Sequence, residues 1–337
     1  MPVPSLPFPH SGVVSDTHAH RHVLIPYAVM TEAMQTPLAL PHVDALLARL
    51  VPETRLEGEE DDLTCPHERM AAFWRGWADL AATRNASLPW AALAATSHLE
   101  CAPECDTRAS WAFLTPCFWQ AGADQIRLNN PEDLQLQEDE SRAFLEVLAP
   151  WFAEDGFHLQ YEQPGRWLVA GEGLRGLQPA SLERALLRDV RHWSPEAGQH
   201  RTLQRLHSEV QMLLYNHPLN DARIERGLPP VNAFWLHASG ALPASKATVA
   251  SPQPEVWDHL REPALLGHAT AWREAWQTLD AGPMAGLLRH VENGGSATLA
   301  LCGERQAQSF VTGARCIGRR IQSLFKPMRL QNLHEAL

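Results

Sequence analysis

Residues 213–240, LLYNHPLNDARIERGLPPVNAFWLHASG, hold the polar side chains of this chain that are best spaced to grip a ligand. A His217-Pro218 pair ends an amphipathic helix, and Asn220, Asp221, Arg223, Glu225 and Arg226 follow it. A Gly227/Pro229/Pro230 loop then leads into the apolar run 231–236, which reads as a buried strand. Asn220, Arg223 and Asn232 carry amide and guanidinium donors of the kind that hold a carboxylate or phosphate. The same groups have a structural use. Asn side chains bond nearby backbone in turns, and Asn232 is placed to pin a loop to a strand.

Two other clusters raise metal chemistry. Asp16, His18 and His20 in SDTHAH are similar to the His-x-His ligands at the first strand of amidohydrolases, but Pro7, Pro9, Ser11 and Gly12 stand where that strand should be. Residues 1–21 therefore read as a flexible leader. Cys101 and Cys105 lie four apart, and Cys65 and Cys117 do not supply the second closely spaced pair that a structural zinc needs. No metal site is expected from these residues. The acidic stretch 52–63 reads as a solvated loop, and most of the 17 histidines are scattered without pattern.

Composition limits the partners. With 337 residues, 45% hydrophobic and 20% charged, the chain can bury a substantial core. A net charge of -11 excludes the dense positive surface of non-specific nucleic-acid binding. Only Lys246 and Lys326 are lysines, so positive charge is carried by arginine, which suits bidentate anion contacts and equally follows from GC-rich coding. No apolar run approaches a membrane span of about 18 residues, and the N-terminus lacks a signal-peptide pattern. Six cysteines in a chain of this length do not make a disulfide framework, so a cytoplasmic location with reduced thiols is expected.

The elements that must position these residues follow from periodicity. HVLIPYAVM (22–30) reads as a first central strand, 41–50 as a helix, 66–82 as a longer helix, and 88–96 as a shorter one. SWAFLTPCFW and DQIRLNN read as strands joined through a Gly122 turn. A short strand from Leu134, a helix over 138–153, the strand FHLQY and a GRWLVAG strand hairpinned through Pro164-Gly165 complete a β-α-β-β block. Ser181 caps a helix over 182–190, and a longer helix covers 199–216. Helices over 263–279 and 283–292 follow, the first with Trp272 and Trp276 on one face. A strand over 297–302 precedes a helical tail from Arg305, whose basic end holds Arg315, Arg319, Arg320, Lys326 and Arg329.

The string HPLNDARIERGLPPVNAFWLHASG resembles the His-Pro-x-Asn…Arg…Gly…Pro-x-Asn segment of archaeal-type, cofactor-independent phosphoglycerate mutases of the alkaline phosphatase-like superfamily. The block LQLQEDESRAFLEVLAPWFAEDGFHLQYEQPGRWLVAG is similar to that family's insert domain, with Arg166 at an arginine before an apolar strand. The likeness covers residues 110–240 well and the ends loosely. A nearer resemblance is to bacterial proteins labelled regulatory, encoded with a pathogenicity-regulation cluster, that themselves look like relatives of these mutases.

The resemblance implies an α/β fold with a mixed, mostly parallel sheet flanked by helices. Residues 22–109 and 176–337 would form the core and 110–175 a smaller α+β insert. It also implies two divalent metals held by Asp and His beside a nucleophilic serine. Here Pro26, Tyr27 and Ala28 stand where the first strand's aspartate belongs, and ALCGERQAQ offers Glu304 without a neighbouring histidine. The expectation is a phosphoglycerate mutase-like regulatory protein, a pseudoenzyme with no cofactor, binding a small anionic or phosphorylated metabolite through Arg166, His217, Asn220, Arg223 and Asn232, or binding a protein partner. One alternative is an active phosphomutase or phosphohydrolase with relocated ligands (Asp16, His18, His20, Glu304). The other is a structural interaction module that exposes Trp272 and Trp276.

Overall fold

The run beginning at Arg21 forms the first strand, β1 (Arg21–Ile25), in a computed structural model that describes residues 20–99, 109–194, 201–243, 254–313 and 329–333. Residues 1–19 of the expected leader lie outside these. Among the described residues the chain forms two compact units: one from residues 20–84 with 254–313 and 329–333, the other from residues 85–99, 109–194 and 201–243. No helix among the described residues is long and apolar enough to cross a membrane.

In the first unit β1 is shorter than the apolar run, because Tyr27 turns the chain at φ 54°. Ala28 N–H still reaches the Cys302 carbonyl at 2.8 Å. Helix α1 (Pro41–Leu47) opens on proline and buries Val43, Leu46 and Leu47. The acidic stretch departs from expectation: it begins as strand β2 (Leu50–Leu56), with Leu50 and Leu56 buried at its ends and polar residues between. This mixed pattern suits a strand at a sheet edge. The helix expected over 66–82 is divided into α2 (Pro66–Trp74) and α3 (Ala78–Ala82), since Gly76 takes φ 88°.

The second unit opens with α4 (Trp90–Leu99) and β3 (Trp111–Cys117), followed by the hairpin of β4 (Trp119–Ala121) and β5 (Ile126–Leu128). A 3₁₀ turn, Pro131–Leu134, replaces the short strand expected there. Helix α5 (Glu138–Glu154) and the hairpin of β6 (His158–Gln163) and β7 (Arg166–Ala170) match their sequence signals. The helix expected over 182–190 is broken by Leu187 at φ 58° into α6 (Leu182–Ala185) and α7 (Val190–Trp193). Ser181 caps the first, accepting from Arg184 N–H at 3.3 Å. Then come α8 (Arg201–Tyr215), α9 (Pro218–Glu225) and β8 (Ala233–Gly240).

The strand order here is β6-β7-β3-β8, with every pair antiparallel. β3 is buried along its whole length and reads as a continuous apolar run because β7 and β8 flank it. β8, assigned from the sequence to the α/β core, pairs instead with β3, with Phe113 opposite His237. Phe144, Leu148 and Phe152 of α5 and Leu206, Val210 and Leu214 of α8 build one core against this sheet.

The chain then re-enters the first unit through β9 (Glu255–Val256), α10 (Arg261–Leu265), α11 (Ala269–Leu279) and α12 (Ala285–Glu292). Gly267 at φ 69° separates α10 from α11. Strand β10 (Ala297–Cys302) is followed by β11 (Ala307–Thr312), where a helical tail was expected. A tight turn at Gly303, whose N–H meets the Gln306 carbonyl at 2.8 Å, folds AQSFVT back on β10. Arg315, Arg319, Arg320 and Lys326 lie outside the described residues.

The sheet order is β2-β11-β10-β1-β9. β1 is parallel to β10 and β9, and β11 is antiparallel to β10 and β2, so four strands share one direction and β11 opposes them. The fold is mixed α/β, with helices against this sheet and a separate antiparallel sheet in the other unit. Trp272 and Trp276, weighed from the sequence as an exposed surface, are fully buried. Their indole N–H groups donate to the Tyr27 carbonyl at 2.9 Å and the Ala28 carbonyl at 3.2 Å. They anchor the chain leaving β1, which corrects the interaction-surface reading.

Candidate functional site

The polar residues of 213–240 converge in the antiparallel unit, and their hydrogen bonds face inward. His217 is the N-cap of α9, its Nδ1 accepting from Leu219 N–H at 3.3 Å. Asn220 is 3% exposed. Its amide donates to the Leu214 and Val231 carbonyls, both at 2.8 Å, and its oxygen accepts from Val231 N–H at 2.9 Å. Both donors of the side chain are thus engaged with backbone carbonyls.

Arg223 is fully buried. Its guanidinium donates to the Pro229 carbonyl at 2.8 Å, the Leu134 carbonyl at 2.5 Å and Glu140 Oε2 at 2.5 Å. Arg226 pairs with the other Glu140 oxygen. Asn232 joins the β8 entrance to β4, accepting from Trp119 N–H at 2.7 Å and donating to the Trp119 carbonyl at 2.9 Å. Arg166 lies apart from these residues. It pairs with Glu162 at 2.6 and 2.8 Å and sits 4.3 Å over the Phe113 ring. The five expected ligand residues form a brace around α9 and a separate ion pair on the sheet, with the amides of Asn220 and Asn232 and the guanidinium groups of Arg223 and Arg166 donating to protein acceptors.

A cavity of about 210 Å³ lies nearby in the same unit. Aromatic groups dominate its wall: Trp119, Trp193, His207, Phe234 and Trp235, with Gln204 and Gln211 beside them. The His207 ring is stacked between two others, 4.0 Å from Phe234 at an interplanar angle of 13° and 4.9 Å from Trp119 at 26°. Its Nδ1 is shielded from solvent and meets no hydrogen-bond partner among the described residues. Burial pushes its pKa down to about 4, so the ring is neutral near pH 7. Among the described residues the lining carries no Lys, Arg, Asp or Glu. The arrangement offers flat apolar faces, a few neutral polar groups and no fixed charge, which are the features of a small-molecule site. His207, one histidine on an amphipathic helix, gave no sequence signal, because its stacking partners come from β4 and β8.

The metal candidates weighed from the sequence fall differently. Asp16 and His18 lie outside the described residues. The His20 ring nitrogens meet Ser296 Oγ at 2.9 Å and Thr298 Oγ1 at 2.8 Å, which ties the start of β1 to β10. Glu304 stands in the turn between β10 and β11, exposed. Cys101 and Cys105 are outside the described residues, and Cys65 and Cys117 belong to different units.

A separate donor group was missed. Cys65, His67 and Glu68 are all buried at the start of α2, and their donor atoms lie within 4.8 Å of one another. Cys65 is the N-cap, its sulfur accepting the Glu68 N–H, while Glu68 Oε2 accepts from Cys65 N–H at 2.7 Å. The His67 ring lies 5.7 Å from that of Tyr27, just past the carboxyl end of β1. The usable signal was the Cys-Pro-His-Glu spacing itself, which places three donor types on one helical turn.

The chain matches no protein-family model, and no curated protein matches it. Two solved structures align with it over most of their length. One is a protein from Pyrococcus horikoshii, 10% identical, covering 93% of this chain and 97% of that one with a TM-score of 0.43. The other is a cofactor-independent phosphoglycerate mutase from Thermoplasma acidophilum, 12% identical, covering 95% and 98% with a TM-score of 0.35. Both likenesses are remote, and neither assigns a role to a residue of the site.

Proposed function

We propose that this chain is a ligand-binding protein of regulatory type, taking a neutral, planar molecule of one or two rings in the aromatic cavity of its antiparallel unit without turning it over. The observation that carries this reading is His207, stacked between Trp119 and Phe234 at a cavity whose described lining holds no charge. A phosphate or carboxylate entering there would lose its water shell without a cation to replace it, at high cost. A flat uncharged ring would bury apolar area against indole and phenyl faces, where aromatic contacts add to burial. The ligand class is therefore neutral, in place of the anionic metabolite suggested by the arginine and asparagine pattern, whose donors are held by the fold.

A binding role is also supported at the end of β1. The turn Pro26-Tyr27-Ala28 that ends β1 carries no carboxylate, and β10 passes through Gly303-Glu304 into a tight turn. A two-metal phosphoryl-transfer centre needs anionic ligands at such strand ends. The test is calorimetric titration of the full chain with indole and, separately, inorganic phosphate. Saturable one-to-one binding of indole with no phosphate signal is expected. Saturable phosphate binding with no indole signal would overturn the reading.

A further inference from the structure

The cluster at the start of α2 belongs to the other unit and stands independently of the cavity. Cys65, His67 and Glu68 bring one thiol, one imidazole and one carboxylate together, with exposures of 3%, 2% and 8%. Their donor atoms lie within 4.8 Å of one another. Zinc at about 2.3 Å from sulfur and about 2.0–2.2 Å from nitrogen or oxygen places tetrahedral ligand atoms roughly 3–4 Å apart. The observed spacing is close to that range.

The capping pattern holds the thiol and the carboxylate side by side. The Cys65 sulfur accepts the Glu68 N–H, and an acceptor role suits a metal-bound thiolate. Glu68 Oε2 accepts the Cys65 N–H, which holds its carboxylate beside the Cys65 thiol. The position in the fold is also suitable. The cluster sits against Tyr27, just past the carboxyl end of β1, where open sheets with parallel strands bind ligands. Tyr27 there holds a left-handed conformation at φ 54°, strained for a residue with a side chain.

We infer that Cys65, His67 and Glu68 form a binding site for one zinc-class divalent cation. The donor set selects the ion class: thiolate with imidazole suits zinc over magnesium or calcium, which prefer oxygen alone. The proposal concerns binding, and no reaction is assigned to the ion.

The competing account of these residues is a capping box, and the two differ in what they tolerate. A capping box accepts serine at the cap and glutamine three residues on. Cys65→Ser and Glu68→Gln therefore keep the helix start while removing a soft ligand and an anionic ligand. The experiment is titration of the metal-stripped full chain with Co²⁺, reading the thiolate-to-cobalt charge-transfer band and the tetrahedral ligand-field bands, with competition by Zn²⁺. One equivalent per chain is expected, with the charge-transfer band absent in Cys65→Ser and present in Cys117→Ala, and affinity for Zn²⁺ lowered at least tenfold in Glu68→Gln. Circular dichroism of both cluster variants should match the parent, which separates loss of the site from loss of the fold. No stoichiometric binding by the parent chain, or an unchanged charge-transfer band in Cys65→Ser, would overturn the assignment.

Discussion

Asn220 and Val231 exchange two hydrogen bonds, as paired residues of neighbouring strands do. The Asn220 amide donates to the Val231 carbonyl at 2.8 Å and its oxygen accepts from Val231 N–H at 2.9 Å. A helix side chain thus completes the backbone of the loop that enters β8, and the second amide hydrogen meets Leu214 O at the end of α8. One residue holds helix, turn and strand together.

Asn220→Asp keeps the shape and removes both donors, leaving the Val231 carbonyl without its donor beside a buried carboxylate, while Leu214 O keeps the His217 N–H. A cost of about 1–3 kcal/mol is expected, the cost of one buried unsatisfied group. Urea unfolding of the two proteins measures it. Equal midpoints would mean that Asn220 is not a brace.

Arg223 makes the parallel case. Its planar guanidinium serves Pro229, Leu134 and Glu140 at once, and a lysine ammonium cannot span three such directions. Arg223→Lys is expected to lose about 3 kcal/mol of stability, as when one side of a buried ion pair fails. Its indole affinity should stay close to the parent's, since Arg223 does not line the cavity. A large loss of ligand affinity at unchanged stability would restore the anion-site reading of this arginine.

His237 sets an acid limit on stability. It is 7% exposed, faces Thr115 Oγ1 at 3.0 Å, and its pKa is lowered to about 3, first by burial and then by the Arg166 charge. The unfolded chain takes the proton near pH 6.5, so between about 6.5 and 3 the unfolded state holds more protons. Stability is complete above that window and falls as pH drops through it. His237→Gln should flatten the dependence near pH 5 by about 1 kcal/mol per pH unit. Guanidinium unfolding across that range reads the slope, and an unaltered slope would count against a buried neutral ring.

The cavity has its own pH signature. His207 takes a proton only near about pH 4, and the described lining has no other ionisable group besides it. Indole affinity should therefore stay level from about pH 8 to about pH 5 and change little with salt, because no charge pair is formed. A midpoint near 6.5 in the affinity profile would show that the imidazole is not held neutral.

The parts of this fold readable in the sequence are those with one dominant local signal. The helix at 138–154, the hairpin through Pro164-Gly165 and the apolar strands at 233–240 and 297–302 follow from periodicity and turn residues. β2 was hidden because its partner β11 lies far along the chain, and an edge strand with Glu53 and Arg55 reads as a loop. The donors of Asn220, Arg223 and Asn232 were visible as residue types. Their direction was not, since the acceptors at Leu134, Glu140 and Trp119 lie far along the chain. The aromatic stack of Trp119, His207 and Phe234 likewise exists only once β4, α8 and β8 are assembled.

The central claim is the occupant of that stack's cavity, and a crystal of the full chain soaked with 5-bromoindole tests it most directly. Bromine gives an anomalous signal that locates the ring without reference to the protein density. The account predicts one strong peak in the antiparallel unit, in the cavity between Trp193, His207 and Trp235, with the ring lying flat against an aromatic face. Bromine found only elsewhere on the molecule, or no peak from crystals soaked at saturating ligand, would contradict it.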